Sequence, residues 1–81
     1  MNQESSFPLS RLPEGGEAFV RALRLGGGIR RRLQDLGLVA GTRVTCIQRA
    51  AAGDPTAYRI RGAVIALRQA DTARIDVGVT P

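Results

Sequence analysis

The sequence predicts a mainly β domain: a small, closed or nearly closed barrel of about five strands with one short α-helix. The chain's length, its alternating segments and its one helical stretch all point that way. At 81 residues it fits a single domain with a modest core and little room for a deep cleft. Short runs that alternate apolar and polar side chains recur between clusters of Gly, Asp and Pro, as short strands do. Helical spacing occurs at Ile29, Leu33 and Leu36, which fall at i, i+4 and i+7. A barrel closes such strands on themselves and so removes free edges.

The elements follow in chain order. Residues 1–6 are polar and expected to be a flexible lead-in, with the domain spanning residues 7–79. Pro13, Gly15 and Gly16 mark a turn before "EAFVRALRL", in which Ala18, Val20 and Ala22 alternate with Glu17, Phe19 and Arg21. Gly26, Gly27 and Gly28 break that strand and lead into the helix, whose apolar underside is Ile29, Leu33 and Leu36. Gly37 sits where a helix-ending glycine belongs, and Leu38 is then placed to touch Leu33. "RVTCIQRA" and "TAYRIRG" form a hairpin about "AGDP". "AVIALRQ" puts Ile65 and Leu67 on one side of a further strand, "ADTA" reads as a polar turn, and "RIDVGV" turns Ile75 and Val77 inward with Arg74 and Asp76 outward.

Net charge is +5 and the pI is near 11.3, which admits nucleic acid, an acidic protein or an anionic membrane surface as partner. All 12 basic residues are arginine, and they are scattered except for Arg30, Arg31 and Arg32. Residues on a helix step by about 100 degrees, so these three fan around the exposed side instead of forming one stripe. Arg31 and Arg32 both lie within reach of Asp35, which favours a solvated helix face over a specific anion grip. The glycines ahead of the helix lack the GxxxxGK[ST] pattern of a phosphate loop.

No histidine is present, which excludes Ser-His-Asp and Cys-His nucleophilic systems. Cys46 lies in an alternating strand and reads as a small buried hydrophobe; alone, it forms no internal disulfide. The seven carboxylates show no metal-ligand spacing. No tight metal site, no cofactor and no catalysis by the chain are therefore expected, while weak divalent binding to a surface carboxylate stays open. Neither a signal peptide nor an apolar run of membrane-spanning length stands out, and the expected location is cytoplasmic.

The order of elements in residues 30–77 resembles the FeoA family, small cytosolic partners of the bacterial ferrous iron transporter FeoB. The resemblance rests on a helix ending in "LGL" (Leu36, Gly37, Leu38), the "GT" turn (Gly41, Thr42), the "GDP" turn (Gly53, Asp54, Pro55), "IALR" (65–68) and "RIDV" (74–77). With "LPEGGEAFVRAL" it covers nearly the whole chain. Ala40 stands where the family usually has proline, and "AAAG" (50–53) where it usually reads more like "APLG". The implied fold is an SH3-like barrel, and the implied role is binding the cytosolic GTPase-bearing part of FeoB as scaffold or regulator, peripheral to the membrane through that partner. The partner-binding residues so implied are Arg30, Arg31, Leu36, Leu38, Asp54 and Tyr58, with the helix and the "GDP" hairpin framing a groove floored by Leu36, Leu38 and Tyr58. The alternative is a small basic barrel that binds nucleic acid, against which the shortage of stacking aromatics argues. Monomer, strand-edge homo-oligomer and partner-dependent assembly are all compatible with the sequence.

Overall fold

The structure, a computed structural model, describes residues 5–81. Strands β1 (Phe7–Pro8), β2 (Glu17–Leu23), β3 (Arg43–Arg49), β4 (Thr56–Ile60), β5 (Ala63–Leu67) and β6 (Ile75–Gly78) are joined by a 3-10 turn at Leu9–Arg11 and two helices, α1 (Gly27–Asp35) and α2 (Gln69–Thr72). All strands pair antiparallel in one sheet of order β1-β6-β2-β3-β4-β5. The sixth strand, beyond the five expected, is the two-residue β1, which joins through Phe7↔Val77 and Pro8↔Asp76. Of the expected lead-in, residues 1–4 lie outside the described residues.

The core forms where the inward faces of these strands meet, and Tyr58, Leu9, Leu38, Ile60, Ile75 and Val20 are its largest fully buried side chains. Burying one such side chain contributes about 1.5–3 kcal/mol. In β6, Ile75 and Val77 are buried as expected. Asp76, on the other face, accepts two hydrogen bonds from Arg24 at 3.0 and 3.1 Å.

β2 departs from simple alternation. Val20 pairs with Val77 and Ala22 with Asp76, so Arg21 is an extra residue opposite one step of β6. This bulge resets the phase: Ala18 and Val20 face the core, Ala22 is exposed instead of inward, and Leu23 takes the core position. A second bulge falls between Cys46 and Gln48 in β3.

The β3–β4 hairpin closes through the "AGDP" turn, where the Gly53 N–H donates to the Ala50 carbonyl at 2.7 Å and the Ala50 N–H to that of Pro55 at 3.0 Å. Beyond it, Ala70, Asp71 and Thr72 of "ADTA" are not a turn but part of α2, with Ala73 as its C-cap. The α2 start is capped from a distance, because Asp54 Oδ1 accepts the Gln69 N–H at 2.9 Å. The "GT" turn is held despite Ala40: the Gly41 N–H donates to the Val20 carbonyl at 2.8 Å, and the Val20 N–H to that of Thr42 at 2.9 Å.

Of the closed and nearly closed forms expected, the barrel takes the one with a gap, and an expectation about the helix is corrected. Among the described residues β5 pairs with β4 alone and β1 with β6 alone, so the gap lies where a fully closed barrel would join β5 to β1. On α1, Leu33 reaches the core, whereas Ile29 and Leu36 are each 40% exposed. Among the described residues no ion pair joins Arg31 or Arg32 to Asp35, since exposed arginines gain little from holding one rotamer.

The end of α1 follows the expected motif. The Leu38 N–H donates to the Leu33 carbonyl and the Gly37 N–H to that of Gln34, both at 3.0 Å, with Gly37 at φ +111°. Arg61 and Gly62, at φ +52° and +82°, make the two-residue β4–β5 turn. The Arg61 side chain lies across Gly37, where an added Cβ would stand 2.9 Å from Arg61 Cδ. Gly37→Ala is therefore expected to lower unfolding free energy by about 1–2 kcal/mol. Gly28→Ala, in the first turn of α1 with nothing within 4 Å of the added Cβ, serves as the neutral-to-stabilising control in the same urea titration.

Candidate partner-binding site

A groove of about 200 Å³ runs between α1 and β5. Ile29, Leu33 and Leu36 form one wall and Ile65, Ala66 and Leu67 the other, with Arg32, Arg68 and Asp71 at the polar margin. A pocket for a drug-sized molecule takes roughly 300–1,000 Å³, so this groove suits a few side chains of another protein better than a cofactor. The side chains of Arg32 and Arg68 make no hydrogen bond or ion pair among the described residues. Other arginines are committed to the fold: Arg24 pairs with Asp76, and Arg49 donates to the Leu12 carbonyl at 2.8 Å.

The residues implied by the resemblance do not come together as one surface. Arg30 and Arg31 line a shallow outer depression of α1 with Gly27, Gly28 and Gln34. Leu36 lies in the α1–β5 groove. Leu38 and Tyr58 are fully buried and floor no groove. The left-handed turn at Gly37 folds Leu38 back under the helix, and Tyr58 points inward from β4, opposite Cys46 on β3 and Ile65 on β5. Asp54 is occupied in capping α2. Ile65, Ala66, Leu67 and Arg68 on the β5 side are the residues that sequence reasoning missed. The available signal was "AVIAL", a strand without a single charge.

Beneath the surface, the Tyr58 hydroxyl is buried with no hydrogen bond of good geometry, although the buried hydroxyl-bearing Thr72 and Thr56 are its polar neighbours. Burial pushes the Tyr58 phenol up, and those two threonines hold it back in part. Burial likewise pushes the Cys46 thiol up, with Arg49 opposing and Glu14 adding to the rise. A protonated, enclosed thiol is a poor nucleophile. Among the described residues no group of three His, Cys, Asp or Glu comes together to hold a metal ion.

The FeoA domain family model matches residues 7–79. The chain belongs to the FeoA domain family. A curated relative from Porphyromonas gingivalis, an Fe(2+) transport protein A/Fe(2+) transporter FeoB fusion protein, is 36% identical over 69 residues, covering 85% of this chain and 8% of the relative. The chain thus spans less than a tenth of that protein's length. The solution structure of FeoA from Chlorobium tepidum superposes with a TM-score of 0.87 at 32% identity, covering 93% of this chain and 71% of that one. FeoA from Stenotrophomonas maltophilia, a prokaryotic SH3 domain protein in complex with zinc, gives 0.79 at 31% identity, with 88% of each chain covered. The architecture of this FeoA domain is accordingly the SH3-like one, with six strands and two helices.

The buried phenol and thiol give this FeoA domain a definite alkaline response. Their folded-state values lie above the ordinary 10.0 and 9.0, so the folded protein keeps protons that the unfolded chain releases. Stability is full below those ordinary values and is lost as pH rises through them toward the folded ones. Tyr58→Phe should remove the phenol's share of that loss, and at neutral pH leave stability unchanged or raise it by up to about 1 kcal/mol, since an unbonded buried hydroxyl is deleted. Urea titrations near neutral pH and near about pH 10.5 check both statements. A neutral-pH loss of about 2 kcal/mol would mean that Thr56 or Thr72 bonds the hydroxyl after all.

Proposed function

We propose that this FeoA domain acts by binding, docking on the cytosolic GTPase-bearing part of a FeoB-type ferrous iron transporter as its scaffold or regulator. The observation that carries the reading is the P. gingivalis relative, in which an FeoA-like segment and a FeoB transporter share one polypeptide. Units joined in one polypeptide act beside each other, which supports recognition between an FeoA domain and a FeoB unit through a surface. The half-exposed apolar stripe of α1, Ile29 and Leu36, supplies surface of the required kind.

Accessory binding also fits the chain's chemistry. No described helix is long and apolar enough to cross a membrane, so contact with the bilayer runs through the transporter at the cytoplasmic face. A net charge of +5 raises encounter rates with an acidic partner or with the anionic inner leaflet. With no histidine and with its one thiol buried, the domain offers neither a His-activated nucleophile nor an exposed thiolate. In GTP hydrolysis the nucleophile is water, so an effect on turnover is exerted either by positioning the partner's own groups or by an arginine that this domain brings to the phosphates.

The test is calorimetric titration of the FeoA domain into full-length FeoB from the same organism, held in lipid nanodiscs, without nucleotide, with GDP and with a GTP analogue. Saturable binding is expected, and its dependence on nucleotide separates regulator from scaffold. No heat of binding in any state, at concentrations up to about a millimolar, removes the proposal. Arg30→Glu with Arg31→Glu should weaken binding by roughly tenfold while leaving the thermal midpoint unchanged, because both side chains are exposed and carry no structural bond. Unchanged affinity in that variant takes the outer face of α1 out of the interface.

A further inference from the structure

The two free edges of the sheet are unlike. β1 is two residues long and contains Pro8, which has no N–H to offer, so that edge is blunted. β5 runs Ala63, Val64, Ile65, Ala66, Leu67 without proline, charge or bulge, in unbroken register with β4 from Ile60↔Ala63 to Thr56↔Leu67. Its other side pairs with nothing among the described residues. Ala63, Val64 and Ala66 are exposed, Val64 at 56%. An apolar edge that lacks such guards is a template for another strand.

What lies beside that edge narrows the occupant. α1 stands off β5 and leaves the groove, with Ile29 and Leu36 half open toward it. Arg32 and Arg68 stand at its margin without partners, against the single carboxylate of Asp71. An added strand sends alternate side chains to one face, so apolar residues at every second position would enter the groove while the rest stay outside. A second copy of the chain is a poor occupant. Antiparallel pairing of two β5 strands centred on Ile65 sets Arg68 of each copy opposite Gly62 and next to Arg61, between proteins that each carry +5.

We infer that β5 is a docking edge for an extended acidic segment of the partner protein, which adds as a seventh strand, seats apolar side chains in the α1–β5 groove and sets its carboxylates against Arg32 and Arg68. This rests on the protein-partner reading above and specifies its mode of contact. Backbone hydrogen bonds along β5 supply affinity, and the groove with its two arginines supplies the preference for an apolar, acidic sequence.

Amide hydrogen exchange on the intact FeoA domain, alone and saturated with full-length FeoB in nanodiscs, tests it. In the complex those amides of residues 63–67 that point away from β4 should exchange at least roughly tenfold more slowly. Arg32→Glu with Arg68→Glu should weaken binding by roughly tenfold or more, the loss shrinking as salt is added, while Arg43→Glu on the outer sheet face should leave affinity unchanged. Circular dichroism of each variant confirms that it is folded. Binding that leaves β5 exchange untouched overturns the docking edge and spares the partner reading, whereas absence of binding overturns both. Protection of β5 that grows with the concentration of the FeoA domain alone overturns the acidic segment in favour of a second copy.

Discussion

The fold depends on the bulge at Arg21, because β2 has to serve two neighbours at once. Its first half pairs with β3 through Glu17, Ala18 and Phe19, and its second half with β6 from Phe19 to Leu23. Without an extra residue, strict alternation would carry Ala22 into the core and leave Leu23 in water. The bulge inverts that order, bends the strand, and lets Leu23 meet Ile75 across the pair. The loop after α1 is tied to the same place, through the hydrogen bonds between Val20 and the "GT" turn. One irregularity in one strand therefore sets the direction of the sheet on both sides.

From that bend the sheet spreads to two ends with different fates. The β6 side finishes in β1, short and proline-bearing. The β5 side finishes in an unguarded strand, and α1 across the groove leaves it uncovered. α1 is held chiefly at its C-terminal end: Leu33 enters the core, Gly37 reverses the chain beneath Arg61, and Leu38 follows into the interior. Its N-terminal glycines meet nothing within 4 Å of an added Cβ. Full burial of a leucine or isoleucine contributes about 1.5–3 kcal/mol, so Ile29 and Leu36 at 40% exposure retain part of that gain for whatever covers them.

Much of this was legible in the sequence because it depends on neighbours along the chain. The Gly37–Leu38 helix ending, the turn at Gly53 and the inward Ile75 and Val77 all follow from spacing within a few residues. What escaped is set by partners far away. The turn-like "ADTA" becomes helical because Asp54, on another loop, caps it. Ala22 faces water because Arg21 has no counterpart on β6. Leu38 and Tyr58 carry the apolar character of an interface and the position of a core, and only the path of the chain after Gly37 and the direction of β4 decide between them.

The same distinction explains why the groove was hidden and why it matters. Spacing showed that Ile29, Leu33 and Leu36 share one face, and an apolar face is ordinarily a buried one. It did not show how far the helix stands from the sheet. β5 supplies the deciding contrast. In β3 and β4, outward arginines such as Arg43 and Arg59 alternate with buried residues, as expected of strands with one face in water. β5 has no such alternation, although three of its five residues are exposed. An all-apolar strand belongs in an interior, yet in β5 only Leu67 and, in part, Ile65 reach one, while Ala63, Val64 and Ala66 face solvent. Its composition and its exposure are reconciled if the missing side of that interior belongs to another protein.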